Sequence, residues 1–549
     1  MAGWFRKRQA SDSIPAKYDD PMESVPPTVF AERAERRLAR AEKTLLRKPE
    51  DVQAWNEKAW ALLDLRRYEE SINAADQAIA LDPRYAWAWN NKGVSLAALE
   101  RYEEAITCYG QALTLDPRSP RMWENKANSL LKLERPQEAL EAAGTAATLD
   151  PQDANAWWIQ ARILRAMNRY DDAIAALGEV LARMPHSNEA WALKAAIYTT
   201  DLRQYADATT CCEAALRLDP HSAYALNITG LIGLNTGRWK EALAFFDQAL
   251  VEQPGFEAAL YNRIRALRRL EQFADAFAAS VHALKWHPQS AAIRRLQAST
   301  LADLHRFDES LACCDQLLAD TPEDANTWIT KGAILSHMKR YAQALECYEH
   351  SLHMAPEKAV GWNNAGSARV HMGQPSEALP LLEKAIALEP MYEYAWTSKG
   401  EALYALERFE EALEALEYAR SLNPWSSATW TYLGLAHTAR SDYGVALEAF
   451  REATTLEPSA PEPWAGFGEL LIKLEHYEEA LKALDHSIAN DIDPKEPRTY
   501  NLKAEALRAL GRTAEAEVAA AEASRLEQVH AAALADDGPD ERAHQDNNA

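Results

Sequence analysis

The chain has 549 residues, with 82 acidic side chains against 59 lysines and arginines, giving a formal net charge of −23. That balance favours solubility and argues against general nucleic-acid affinity, which needs clustered positive charge. No apolar run approaches the roughly 18 residues of a membrane helix, and the first residues lack the apolar stretch of a signal peptide, so the expected location is cytoplasmic.

Residues 1–27 carry Pro15, Pro21, Pro26 and Pro27 among many charges, which predicts a disordered leader. Within it, Trp4-Phe5-Arg6-Lys7-Arg8 joins two aromatics to three cations, too short a segment to anchor at a lipid surface alone. Residues 28–51 are expected to hold one capping helix, over 28–48, and a short link into the first hairpin; Ala41 and Leu45 fall in step with later helices.

From there proline recurs with near-constant spacing, from Pro49, Pro83 and Pro117 through to Pro458 and Pro494. Eleven of the thirteen intervals are 34 residues; Pro185 to Pro220 is 35 and Pro458 to Pro494 is 36. A period of 34 accommodates two helices and two turns, so residues 52–530 are expected to form fourteen helical hairpins. With position 1 set three residues after each proline, position 4 is Trp in ten repeats, position 8 is Gly or Ala in thirteen, and position 20 is Ala or Ser throughout. Small side chains at 8 and 20 let paired helices approach. Aromatics at 4 and 17 fill the wider space between pairs. Residues 531–549 should hold a helix end and a disordered acidic tail.

The pattern Trp89-Gly93-Tyr102-Ala105-Tyr109-Ala112-Pro117 resembles the tetratricopeptide repeat, and the match runs in register over residues 52–530. The resemblance implies an all-α helical-hairpin solenoid, a right-handed superhelix whose first helices line a concave groove with positions 2, 5, 9, 12 and 13. It also implies a non-catalytic scaffold that binds protein or peptide segments, with no cofactor.

Read along those positions, repeats seven and eight differ from the rest. Arg265, Arg268 and Arg269 stand at 9, 12 and 13, Arg295 at 5 of the next repeat, and Tyr261 and Asn262 at 5 and 6. Between Tyr261 and Arg295 there are seven Lys/Arg (including Arg263, Lys285 and Arg294) against Glu271 and Asp275, a local balance of +5. Guanidinium forks pair with carboxylates and phosphates, so an acidic or phosphorylated partner segment is the expected ligand. The alternative is that these arginines serve the fold. Trp60, Trp87, Trp158, Tyr224, Tyr394 and Tyr404 also fall on groove positions and could anchor a peptide or pack between helices.

Two family precedents fit poorly. Clamps for acidic chaperone tails use Lys at position 5, which no repeat carries, and Asn at 9, supplied only by Asn128. The asparagine ladder of the O-linked N-acetylglucosamine transferases is matched only at Asn91, Asn125, Asn262 and Asn364, and no catalytic domain follows residue 530. A passive spacer or assembly arm remains the other class, with a regulatory subunit of an enzyme complex behind it. No GxxxxGK[ST], HExxH or GxSxG motif points to an enzyme. His337 and His371, at position 13 of adjacent repeats, are a weak metal pair. The six cysteines read as small core hydrophobes of a reducing compartment.

Overall fold

The computed structural model describes residues 27–491 and 496–536, except the side chains of 27–30 and 530–536. Trp4–Arg8 of the leader, Pro494 and the tail beyond 536 lie outside the described residues. Among those residues every regular element is helical. A helix over Pro27–Arg47 precedes fourteen hairpins, each with a first helix of 13 residues (A) and a second of 14 (B), as in Ala86–Ala98 and Tyr102–Leu115 of repeat two. Repeat five departs in its first helix, and the last B helix, Thr513–Asp536, is longer at 24 residues. The expected all-α helical-hairpin solenoid is the fold observed. The chain divides into two compact units, Met1–Leu296 and Gln297–Ala549.

Each hairpin turn is set at position 15, which adopts a positive φ in all fourteen repeats, from Arg66 at 59° to Gly511 at 72°. Only Gly237, Gly373 and Gly511 supply glycine there. The conformation persists elsewhere because it closes the A helix: the position 16 N–H reaches back to the position 11 carbonyl, as Arg67 does to Leu62 at 2.9 Å and Arg408 to Leu403 at 2.9 Å. Arg at position 16 then grips the carboxylate at 19 with both arms. Arg101 donates from Nε and Nη2 to the two oxygens of Glu104, each at 2.7 Å, and Arg408 repeats this on Glu411. These guanidinium partners pull the glutamate carboxyls below their ordinary range. The acidic motif that opens most B helices is a solvated edge, internally paired where Arg stands at 16 and an acid at 19.

Two further contacts recur along the array. The position 4 indole donates to the carbonyl of the proline six residues before it, as in Trp55 to Pro49 at 2.8 Å and Trp464 to Pro458 at 2.9 Å. In repeat eight, Arg294 replaces the tryptophan and makes the same bond to Pro288 at 2.7 Å. In repeat four, Arg183 takes the Pro151 carbonyl at 2.6 Å, leaving the Trp157 Nε1 buried without a partner.

Positions 8 and 24 share one volume. A Cβ on Gly93 would stand 2.6 Å from the Tyr109 ring, one on Gly230 2.5 Å from Phe246, and one on Gly434 2.8 Å from Phe450. Where position 8 is Ala59 or Ala127, position 24 is Ala75 or Ala143 in the same core cluster. Where it is Ile264, position 24 shrinks to the buried Ser280. Cys211, Cys212, Cys314 and Cys347 belong to these cores, and burial pushes their thiols up, Cys212 to about 11 and Cys314 to about 12.

The irregular intervals have distinct solutions. The extra residue of repeat five is absorbed as a π turn over Ile197–Asp201, with Leu202 N–H bonded to the Ile197 carbonyl at 3.1 Å. That turn carries Asp201 to Arg165 of repeat four, where Nε lies 2.8 Å from the carboxylate and both side chains are largely buried. The two extra residues of repeat thirteen fall in the link between Tyr477–Asn490 and Pro497–Ala509.

Candidate partner-binding face

Successive A helices touch one another as well as their own B partners, as in repeats one and two or ten and eleven, while successive B helices make no contact of comparable extent. The A helices of neighbouring repeats therefore pack side by side within each unit, and positions 2, 5, 9, 12 and 13 are the ones the resemblance assigns to the inner side.

In repeat seven the A helix is Glu257–Arg269. Phe256, Leu260, Ile264 and Leu267 bury its inward stripe, which leaves the guanidinium-bearing positions half-buried or exposed. The structure brings Tyr261, Asn262 and Arg265 together. The Arg265 guanidinium lies 5.9 Å from the Tyr261 ring centroid, and its Nη1 donates to Asn262 Oδ1 at 3.2 Å. Asn262 is buried, and its Nδ2 donates to Asn227 of repeat six at 3.0 Å. Its amide thus ties Arg265 to repeat six. Arg268 and exposed Arg269 follow at the end of the same helix, and half-buried Arg295 stands on the A helix of repeat eight, Ala291–Asp303. Of the neighbouring cations, Arg263 pairs with Asp247 at 2.6 Å and Arg294 is held by Pro288.

The Asn262–Asn227 bond belongs to a wider device. Position 6 asparagine donates to position 5 asparagine of the preceding repeat in Asn91 to Asn56 at 2.9 Å and Asn125 to Asn90 at 3.0 Å. These amides stitch A helices together. The signal was legible as Asn at 5 followed by Asn at 6 one repeat later. A second inner-face feature in the first unit is Glu124, at position 5 of repeat three. It is 4 % exposed; Asn155 donates to its Oε2 at 2.6 Å, and Oε1 meets no partner. Burial first, then neighbouring Asp153, push its carboxyl up to about 7.

The aromatics on inner positions have mixed duties. Trp60 is covered by Arg37 of the capping helix, whose guanidinium carbon lies 3.8 Å from the ring centroid, while Trp87 and Tyr394 are exposed. His337 meets the Phe307 ring edge-on at 5.8 Å, and His371 stacks on Tyr341 at 4.9 Å. Among the described residues no three His, Cys, Asp or Glu side chains converge as a metal site, and no helix is long and apolar enough to cross a membrane.

Sequence families described as tetratricopeptide repeat match residues 52–85, 86–119, 130–197, 193–255, 323–389, 363–424, 397–461 and 466–538. No curated protein matches the chain. Among solved structures, the APC/C hetero-tetramer Cut9–Hcn1 is similar with a TM-score of 0.61 at 17% identity, over 88% of this chain and 97% of that one. YrrB, described as a TPR protein with an unusual peptide-binding site, is 22% identical over 34% of this chain and 97% of its own, with a TM-score of 0.30. The repeated family matches and the hairpin architecture lead to one conclusion: the chain belongs to the tetratricopeptide-repeat family.

Proposed function

We propose that this protein–protein interaction scaffold binds an acidic or phosphorylated segment of a partner on the inner face of repeats seven and eight. Arg265, Arg268, Arg269 and Arg295 would form the charge-pairing set. Tyr261 and Asn262 fix the approach of Arg265. One observation carries the reading: a balance of +5 between residues 261 and 295 in a chain of net charge −23. The Arg265 contacts with Tyr261 and Asn262 add support, because a guanidinium already held in place loses less freedom when a carboxylate or phosphate joins it. The role is non-catalytic, since the reading calls for pairing of fixed charges and no proton or group transfer.

The test is fluorescence anisotropy with three labelled peptides of equal length: one rich in Asp and Glu, one with phosphoserines, and one neutral. The two anionic peptides should bind, and their affinity should fall steadily from 50 mM to 300 mM salt as exposed charges are screened over roughly 8–10 Å. Equal binding of the neutral peptide, or salt-independent binding of the anionic ones, would remove the electrostatic reading.

A further inference from the structure

The second unit contains contacts between residues far apart in sequence. Lys339 is the position 15 residue of repeat nine, held at φ 59° in its hairpin turn. Its Nζ lies 3.0 Å from Glu496 Oε1 and 3.7 Å from Asp491 Oδ1, 157 and 152 residues along the chain. Those two acids flank the link into repeat fourteen, and the Glu496 N–H is itself bonded to Asp491 Oδ2 at 2.7 Å. Asp491 is 9% exposed at the side chain and Lys339 26%. The Lys339–Asp491 contact is therefore more enclosed than the short-range pairs on the outer edges, where Arg101 and Glu104 are 44% and 58% exposed, while Glu496 is itself 53% exposed.

Between those ends the inner face is crowded. Glu401, at position 9 of repeat eleven, is only 8% exposed although it stands on an inner position. Tyr432 of repeat twelve donates to its Oε1 at 2.5 Å, and His371 Nδ1 of repeat ten lies 3.7 Å away. His371 in turn stacks on Tyr341 of repeat nine. Side chains of four consecutive repeats thus meet in one cluster. Glu462 of repeat thirteen feels the charges of Asp491, Lys339 and His371.

We propose that the Lys339 pairing with Asp491 and Glu496 is a latch that closes the coil of repeats nine to fourteen over its own inner face. A solenoid is a spring whose repeats contact only their neighbours, so a bond across five repeats adds a restraint that the nearest-neighbour stack lacks. While the latch holds, the cluster around Glu401 stays enclosed. When competing ions or a charged partner take either side of the pair, the coil is free to open and that face becomes accessible. The latch residues all lie in the second unit, and none belongs to the arginine site.

The experiment places spin labels on unnatural residues substituted for Glu346 and Glu517, on exposed sites of the B helices of repeats nine and fourteen, in the full chain. Pulsed dipolar distances are then compared. The wild-type chain at low salt should give one narrow distribution. Lys339→Glu should lengthen and broaden it, and 1 M NaCl, where charges are screened within roughly 3 Å, should do the same to the wild type. The combined variant Lys339→Glu, Asp491→Lys, Glu496→Lys should return the distance to its original value. If Lys339→Glu loses helicity, Lys339→Gln replaces it, with the same lengthening expected. An unchanged distance in a folded Lys339 variant, or a charge swap that fails to restore it, overturns the latch.

Discussion

At the scale of single residues, chemistry is decided by what each side chain is forced to face. Glu124 shows this most clearly. Its Oε1 meets no donor, and its carboxyl is pushed up to about 7 by burial and by Asp153. A proton held on Glu124 and shared with Asp153 satisfies the orphaned oxygen. A carboxyl whose pKa is higher in the folded state stabilises the fold fully below its unfolded value of about 4.5 and loses that contribution as pH rises through about 7. Repeats three and four should therefore become less protected from hydrogen exchange between pH 5 and pH 8, by about 1–3 kcal/mol. Glu124→Gln should flatten this trend, because its amide can donate to Asp153 at every pH. A variant with the wild-type pH profile would show that Glu124 does not titrate in this range. None of this could be read from Glu124 in the sequence. Burial depends on how neighbouring repeats stack, and the 34-residue register shows only that position 5 is on the inner side.

At the scale of the helix pair, the side chains at positions 8 and 24 compete for space without a fixed sum: glycine stands opposite Leu416 in repeat eleven, whereas Ala161 packs with Leu177 in repeat four. In repeat eleven a Cβ on Gly400 would press into the Leu416 side chain. Gly400→Ala should cost about 1–3 kcal/mol through overpacking. In a Leu416→Ala background the same change should cost little, because the pair then matches Ala59–Ala75 of repeat one. Denaturation of the four variants in a double-mutant cycle would show a coupling of 0.5–3 kcal/mol, roughly the span for touching residues; additive effects would contradict the shared-volume account. The small residues at 8 and 20 were legible in the sequence, but the connection of 8 with 24 was not. Ile264 looks like an exception at position 8 until Ser280 is set beside it. The role of Arg294 was hidden, because arginine and tryptophan share no obvious property except an N–H that reaches the proline carbonyl. Arg294→Ala should lose about 1 kcal/mol of local stability, whereas Arg294→Trp should retain it, as read by exchange at the start of that helix. The extra residue of repeat five was visible as a 35-residue interval, but whether it entered a link or a helix depended on Asp201 finding Arg165.

At the scale of the whole molecule, the proline period exposed the architecture because every hairpin repeats the same solution to burying one face. The candidate binding face was less legible. Charge at 265, 268, 269 and 295 could be counted, yet the sequence does not say that Asn262 is consumed by Asn227 or that Arg294 is held by Pro288. Coupling between repeats should be local. Exchange protection lost in Gly400→Ala should concentrate in repeats ten to twelve and leave repeats one to six unchanged; uniform loss would mean the solenoid unfolds as one cooperative body.

The most direct test of the account is the charge reversal of Arg268 and Arg269. With helicity verified by circular dichroism, the Arg268→Glu, Arg269→Glu chain should bind the labelled acidic peptide roughly tenfold or more weakly at low salt. The corresponding double lysine variant should recover only part of the affinity, since an ammonium lacks the planar fork. Unchanged affinity in the folded glutamate variant would contradict the proposal and return these arginines to the framework of the fold.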